Sequence, residues 1–209
     1  MKNSIINRQF RYTFRNATAV ILAVNILVYI VLQVFPDLVY YLSLVPVYVR
    51  FYHWYWQFLT YAFTHAEFWH LLSNMLALFI FGTAVERAVG TKEFLLFYLV
   101  VSVFSGAAAY LTYALSGNYY VVLLGASGAA YALMFLFAVL FPSAELLVFG
   151  IIPVRAPVLV VVYFLIEFFS QFSSDGTAHL VHLYGLLAAL LYMLLRMRMN
   201  PLKRWGIIR

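Results

Sequence analysis

The chain has no cysteine. That excludes disulfides, thiolate nucleophiles and Cys-ligated metal sites. It is also poor in charge: only 10% of its 209 residues are Asp, Glu, Lys or Arg, against 66% hydrophobic. A soluble domain carries about 25% charged residues. A soluble fold of this length cannot hide so much apolar surface, because small domains keep a large exposed area. Lipid has to cover it. The length suits one compact domain, taken as 1–209.

Acidic residues are missing from residues 1–36, which hold four basic ones. A mitochondrial targeting segment has that pattern, but membrane topology explains it more simply. No cleavable signal peptide is expected, since the first apolar run is too long and lacks a small-residue cleavage site. A net charge of +6 would ordinarily suggest nucleic acid. Here the basic residues gather at the two ends, where charge sets orientation, and no nucleic-acid partner is expected.

A bilayer core needs roughly 20 apolar residues per helix. The sequence predicts six spans: Ala17–Phe35, Trp69–Ala88, Phe94–Leu115, Gly125–Phe141, Ala156–Phe172 and Ala178–Met197. The breaks between them are Pro36-Asp37, Gly90-Thr91-Lys92, Ser116-Gly117-Asn118, Pro142, Pro153 with Pro157, and Ser173-Ser174-Asp175-Gly176. The expected fold class is all-α, a six-helix membrane bundle. Residues 1–16 form an N-terminal cytoplasmic segment and 198–209 a basic cytoplasmic tail. With the N-terminus inside, 12 of the 13 Lys and Arg fall inside and only Arg50 falls outside. An even helix count puts the C-terminus inside too. The outer segment 36–68 is rich in Trp and Tyr, which favour the membrane–water interface, so it is expected to lie partly in the outer leaflet.

Polar residues within spans are costly, so each is a candidate for function. His70 and Asn74, four apart, share a face of the second span. Gly125-Ala126-Ser127-Gly128 opens the fourth. His179 and His182 share a face of the sixth. Each set has a plain structural reading as interhelical packing or hydrogen bonding. The histidine pair has a rival reading as a metal site, imidazole being a common ligand.

Spans two, four and six all run from outside to inside. His70, Asn74, Ser127 and His182 therefore sit at similar depth, near the outer face. Packing alone does not explain why three helices bring a hydroxyl, an imidazole and an amide to one layer. A serine hydroxyl needs a base to take its proton. Histidine can take it and return it to a leaving amine. Donors on Asn74, His70 and the Ser127 backbone can hold an oxyanion. No intramembrane Asp or Glu is expected at this depth to orient the histidine, so a dyad is expected rather than a triad.

These residues resemble the rhomboid family of intramembrane serine proteases. Trp56-Gln57, Thr60, Phe63 and His65 are similar to the family's entry to its second helix. His70-Leu-Leu-Ser-Asn74 is similar to its His-x-x-x-Asn, and Phe81-Gly82, Glu86 and Gly90 to the end of that helix. Gly125-Ala126-Ser127-Gly128 is similar to its Gly-x-Ser-Gly, and His182-Leu-Tyr-Gly185 to its His-x-x-Gly. The resemblance spans about Trp56 to Ala189.

The resemblance implies Ser127 as nucleophile and His182 as general base. It implies an oxyanion hole at His70 and Asn74, with Gly125, Gly128, Tyr131 and Gly185 in support. Tyr131 would stack on the catalytic histidine. No metal and no cofactor is implied. Substrates would be transmembrane helices entering beside the fifth span, and the location a cell membrane. Three positions depart from the pattern: Ala189 where glycine is common, Gln57 where arginine is common, and the extra His179. A catalytically inactive relative that binds membrane clients is the alternative, and a histidine-based transporter a third.

Overall fold

The computed structural model describes residues 10–148, 150–172 and 179–208. Six apolar helices dominate it. α1 is Ala17–Val34, α2 Phe68–Val89, α3 Thr91–Leu115, α4 Ser127–Leu140, α5 Ala156–Ser170 and α6 His179–Met197. A short α7, Pro201–Arg204, follows. Four of these, α1, α2, α3 and α6, are long and apolar enough to cross a membrane. α4 and α5 have only 14 and 15 residues. At 1.5 Å per residue that is about 21–23 Å, short of a bilayer core of about 30 Å.

α4 is the central helix and packs on α6, α3, α5 and α2. Its buried side chains are mostly small or aliphatic, including Ala129, Ala132, Leu133, Leu136, Ala138 and Val139. Small residues let helix backbones approach, which is how helices associate where lipid supplies no hydrophobic drive. The approach is closest where Gly185 of α6 meets Gly128 of α4. A Cβ at Gly185 would collide with the Gly128 carbonyl, whose carbon lies 2.9 Å from the added atom. Ala189, one turn on, is fully buried, so its methyl is accommodated.

The segment 36–68 folds into short helices, Leu38–Leu42, Pro46–Tyr52 and Gln57–Thr60, rather than an extended loop. Gln57 is fully buried and ties it together. Its Oε1 accepts from the Val45 amide at 3.0 Å and its Nε2 donates to the Tyr40 carbonyl at 2.8 Å. Leu44 and Leu123 exchange backbone hydrogen bonds of 2.9 Å, which fastens this segment to the strand-like stretch before α4. The Tyr61 hydroxyl donates to the Ser102 carbonyl of α3 at 2.8 Å. The glycine at 106 leaves the room for that ring.

The apolar stretch 142–156 contains a β-hairpin, Glu145–Val148 paired antiparallel with Ile152–Arg155, so the chain is not wholly helical. Gly150 in the turn has φ +72°, a conformation that suits glycine. α6 begins at His179, and the expected first residue, Ala178, lies outside the described residues, as does the turn 173–176.

Candidate active site

Ser127 is the first residue of α4. Gly125, two residues earlier, has φ +113°. A side chain there would be strained, and its Cβ would stand 2.7 Å from Nε2 of His70. The glycine thus turns the chain into the helix and lets an imidazole come against bare backbone. The Gly125 amide is held by the Tyr61 carbonyl at 2.9 Å. The Ala126 amide donates to Nε2 of His65 at 3.4 Å. His65 is fully buried, and burial, with His70 nearby, pushes its imidazole down to about 3. It stays neutral and can accept that hydrogen bond.

His182, one turn into α6, places Nε2 2.7 Å from Oγ of Ser127. The Tyr131 ring, one turn along α4 from Ser127, lies parallel to the imidazole with centroids 4.5 Å apart and planes 6° apart. His70, Asn74, Ser127, Tyr131 and His182 all line one cavity of about 730 Å³. One N–H of the Asn74 amide donates to the His70 carbonyl at 2.7 Å, within its own helix. An amide nitrogen has a second donor, so one remains for the cavity. The four residues expected at one depth do come together, and Gly128 and Gly185 provide the helix contact behind them.

The expectation that no acidic residue reaches this layer is wrong. Glu167 of α5 is only 4% exposed and lies against both α6 histidines. Its Oε2 is 2.9 Å from Nδ1 of His182 and 2.6 Å from Nδ1 of His179, and its Oε1 accepts from the Tyr131 hydroxyl. The signal was in the sequence: a lone carboxylate inside Leu165-Ile166-Glu167-Phe168-Phe169, near the C-terminal end of its helix. Such a residue is a functional candidate by default. The extra histidine, His179, is explained by the same carboxylate.

A serine hydroxyl within hydrogen-bond reach of an imidazole, on the wall of a cavity between apolar helices, is placed so that the ring could take its proton. The rhomboid domain family matches residues 52–199 of the chain. The chain belongs to the rhomboid family. Individual rhomboids are similar over parts of it. "Rhomboid protein 1, mitochondrial" of Saccharomyces cerevisiae is 41% identical over 90 residues, covering 42% of this chain and 26% of that protein. "Putative rhomboid protease YdcA" of Bacillus subtilis is 39% identical over 88 residues, covering 41% and 42%. "Rhomboid protease GlpG" of Haemophilus influenzae is 30% identical over 118 residues, covering 56% and 58%. The chain thus spans between about a quarter and somewhat over half of the length of these rhomboids. With its apolar helices, this rhomboid is a membrane protein.

Proposed function

We propose that this rhomboid is an intramembrane serine endopeptidase that cuts transmembrane segments of other membrane proteins. The observation that carries the reading is the 2.7 Å contact of Ser127 Oγ with His182 Nε2 on the wall of the cavity. His182 takes the hydroxyl proton as Oγ attacks the scissile carbonyl. The tetrahedral oxyanion is held by the Ser127 backbone N–H and by side chains of His70 and Asn74. The positive end of α4 favours the same charge. His182 returns the proton to the leaving amine, and a water then releases the acyl group.

In this reading all six helices are embedded in a cell membrane as one bundle, with both termini cytoplasmic. α4 is too short to reach both faces, so its first residue is sunk below the outer surface and water fills the gap above it. Substrate helices enter beside α5, whose Phe164, Phe168 and Phe169 are exposed. A helix has to unwind before its carbonyl can reach Ser127, so segments with helix-weakening residues near the cut are preferred. Two of the similar proteins are named proteases, which supports the activity.

The test is reconstitution in liposomes with a single-span substrate helix carrying glycine near its outer end. Cleavage by the unmodified chain, lost in both Ser127→Ala and His182→Ala, is expected. Binding of the helix without cleavage would favour an inactive client-binding rhomboid instead.

A further inference from the structure

We infer that Glu167 is a positioning residue that turns the Ser127–His182 pair into a three-membered system; this rests on the protease reading above. Glu167 is the buried acid on α5, and all its described partners are side chains that carry protons. An unpartnered carboxylate is expensive within an apolar helix bundle. This one gathers the Tyr131 hydroxyl on Oε1 and the Nδ1 atoms of His179 and His182 on Oε2. An ionised carboxylate only accepts hydrogen bonds, so all three partners must present protons to it.

For His182 that requirement has a chemical consequence. A proton on Nδ1 leaves the lone pair of neutral imidazole on Nε2, the atom facing Ser127 Oγ. The carboxylate therefore selects the tautomer that can act as base. It also sits beside the ring when the proton arrives and the imidazole becomes cationic. Tyr131 adds a second constraint, because it stacks on the face of His182 while donating to the same carboxylate. Edge and face of the ring are thus tied to one acid.

At 2.9 Å, the Nδ1 of His182 is close to Oε2 but not well aligned with it, and it is a buried atom with no other hydrogen-bond acceptor among the described residues. Such contacts often tighten only when substrate is bound. The oxygen–nitrogen distances of 2.6 and 2.9 Å are hydrogen-bond distances. They are shorter than the separation of about 3.3 Å expected for two ligands each about 2.0 Å from a tetrahedral zinc.

A mere strut between α5 and α6 would not set the tautomer or the rate, and this is what the experiment reads. The unmodified chain, Ser127→Ala, Glu167→Gln and Glu167→Asp are each treated with a fluorophosphonate in detergent, and the maximal labelling rate is separated from apparent affinity. The expected result is a maximal rate about 100-fold lower in Glu167→Gln with affinity unchanged, and partial recovery in Glu167→Asp, which restores the charge. In parallel, ¹⁵N-histidine spectra of the unmodified chain should show His182 protonated on Nδ1. The inference is overturned by a Gln variant that labels at the unmodified rate, or by Asp and Gln variants equally slow. It is also overturned by His182 protonated on Nε2 in the resting protein, a result that needs no variant to fold. Absence of Ser127-dependent labelling in the unmodified chain would be a different failure: it removes the protease reading, and this inference with it.

Discussion

Two glutamates are buried in apolar helices of this protein, and they keep opposite company. Glu86, near the C-terminal end of α2, is fully buried. It accepts from the Ala17 amide at 2.7 Å, the Thr18 amide at 2.8 Å, the Thr18 hydroxyl at 2.8 Å and the Thr91 hydroxyl at 2.6 Å. Two of these donors are the orphan N–H groups that begin α1. None of the four changes charge at ordinary pH. Glu86 is therefore an anchor that caps α1 with a carboxylate from α2 and ties in the start of α3. Glu167 instead meets two imidazoles and a phenol, all able to pass a proton. Burial alone does not separate a structural acid from a working one. The chemistry of the donors does.

The sharpest break in that contrast would come at Ser127, the proposed nucleophile. Ser127→Ala is expected to lower turnover by about 10⁴-fold or more, with helix content unchanged, as measured by cleavage in liposomes and circular dichroism. Substantial residual cleavage would move the chemistry elsewhere. At the anchor, Glu86→Ala should cost about 3 kcal/mol of stability, since it strands several buried donors. Unfolding in mixed micelles reads this. Turnover per folded molecule should stay within about twofold, and a large fall there would erase the distinction from Glu167.

Gly185→Ala should sit between the two glutamates in kind. The added methyl has no room against Gly128, so α4 and α6 separate, at about 1–3 kcal/mol. Because Ser127 and His182 ride on those two helices, turnover should fall more than in a variant of equal stability elsewhere. Comparing it with a stability-matched Glu86 variant checks this.

The smallest effect concerns His65. Its imidazole is held down to about 3 by burial against an ordinary value of 6.5, so the unfolded chain binds that proton first. Stability should decline as pH falls from about 6.5 toward 3 and be unaffected by this group above that range. His65→Gln, which can still accept from the Ala126 amide, should flatten that part of the curve in a thermal-unfolding series.

Much of this was legible in the residues, for definite reasons. Long apolar runs punctuated by Pro, Gly and Asp placed α1, α2, α3 and α6 within about three residues of their observed ends. The meeting of Ser127 with His182 followed from alternating helix direction plus polar residues at matching depth. The hairpin at 145–155 did not follow, because a short apolar run reads alike for strand and helix. The packing of 36–68 did not either, since it depends on the buried amide of Gln57 reaching backbone groups about 12 and 17 residues away. Glu167 was missed for another reason. It stands near the C-terminal end of its helix, where an acid looks solvated, and only the packing of α5 against α6 shows that it is buried.

The direct test of the account is where a fluorophosphonate lands. Labelled protein is digested and the modified residue located by mass spectrometry. A single adduct on Ser127, absent from His182→Ala, is expected. An adduct on any other residue, or unchanged labelling of Ser127 without His182, would contradict it.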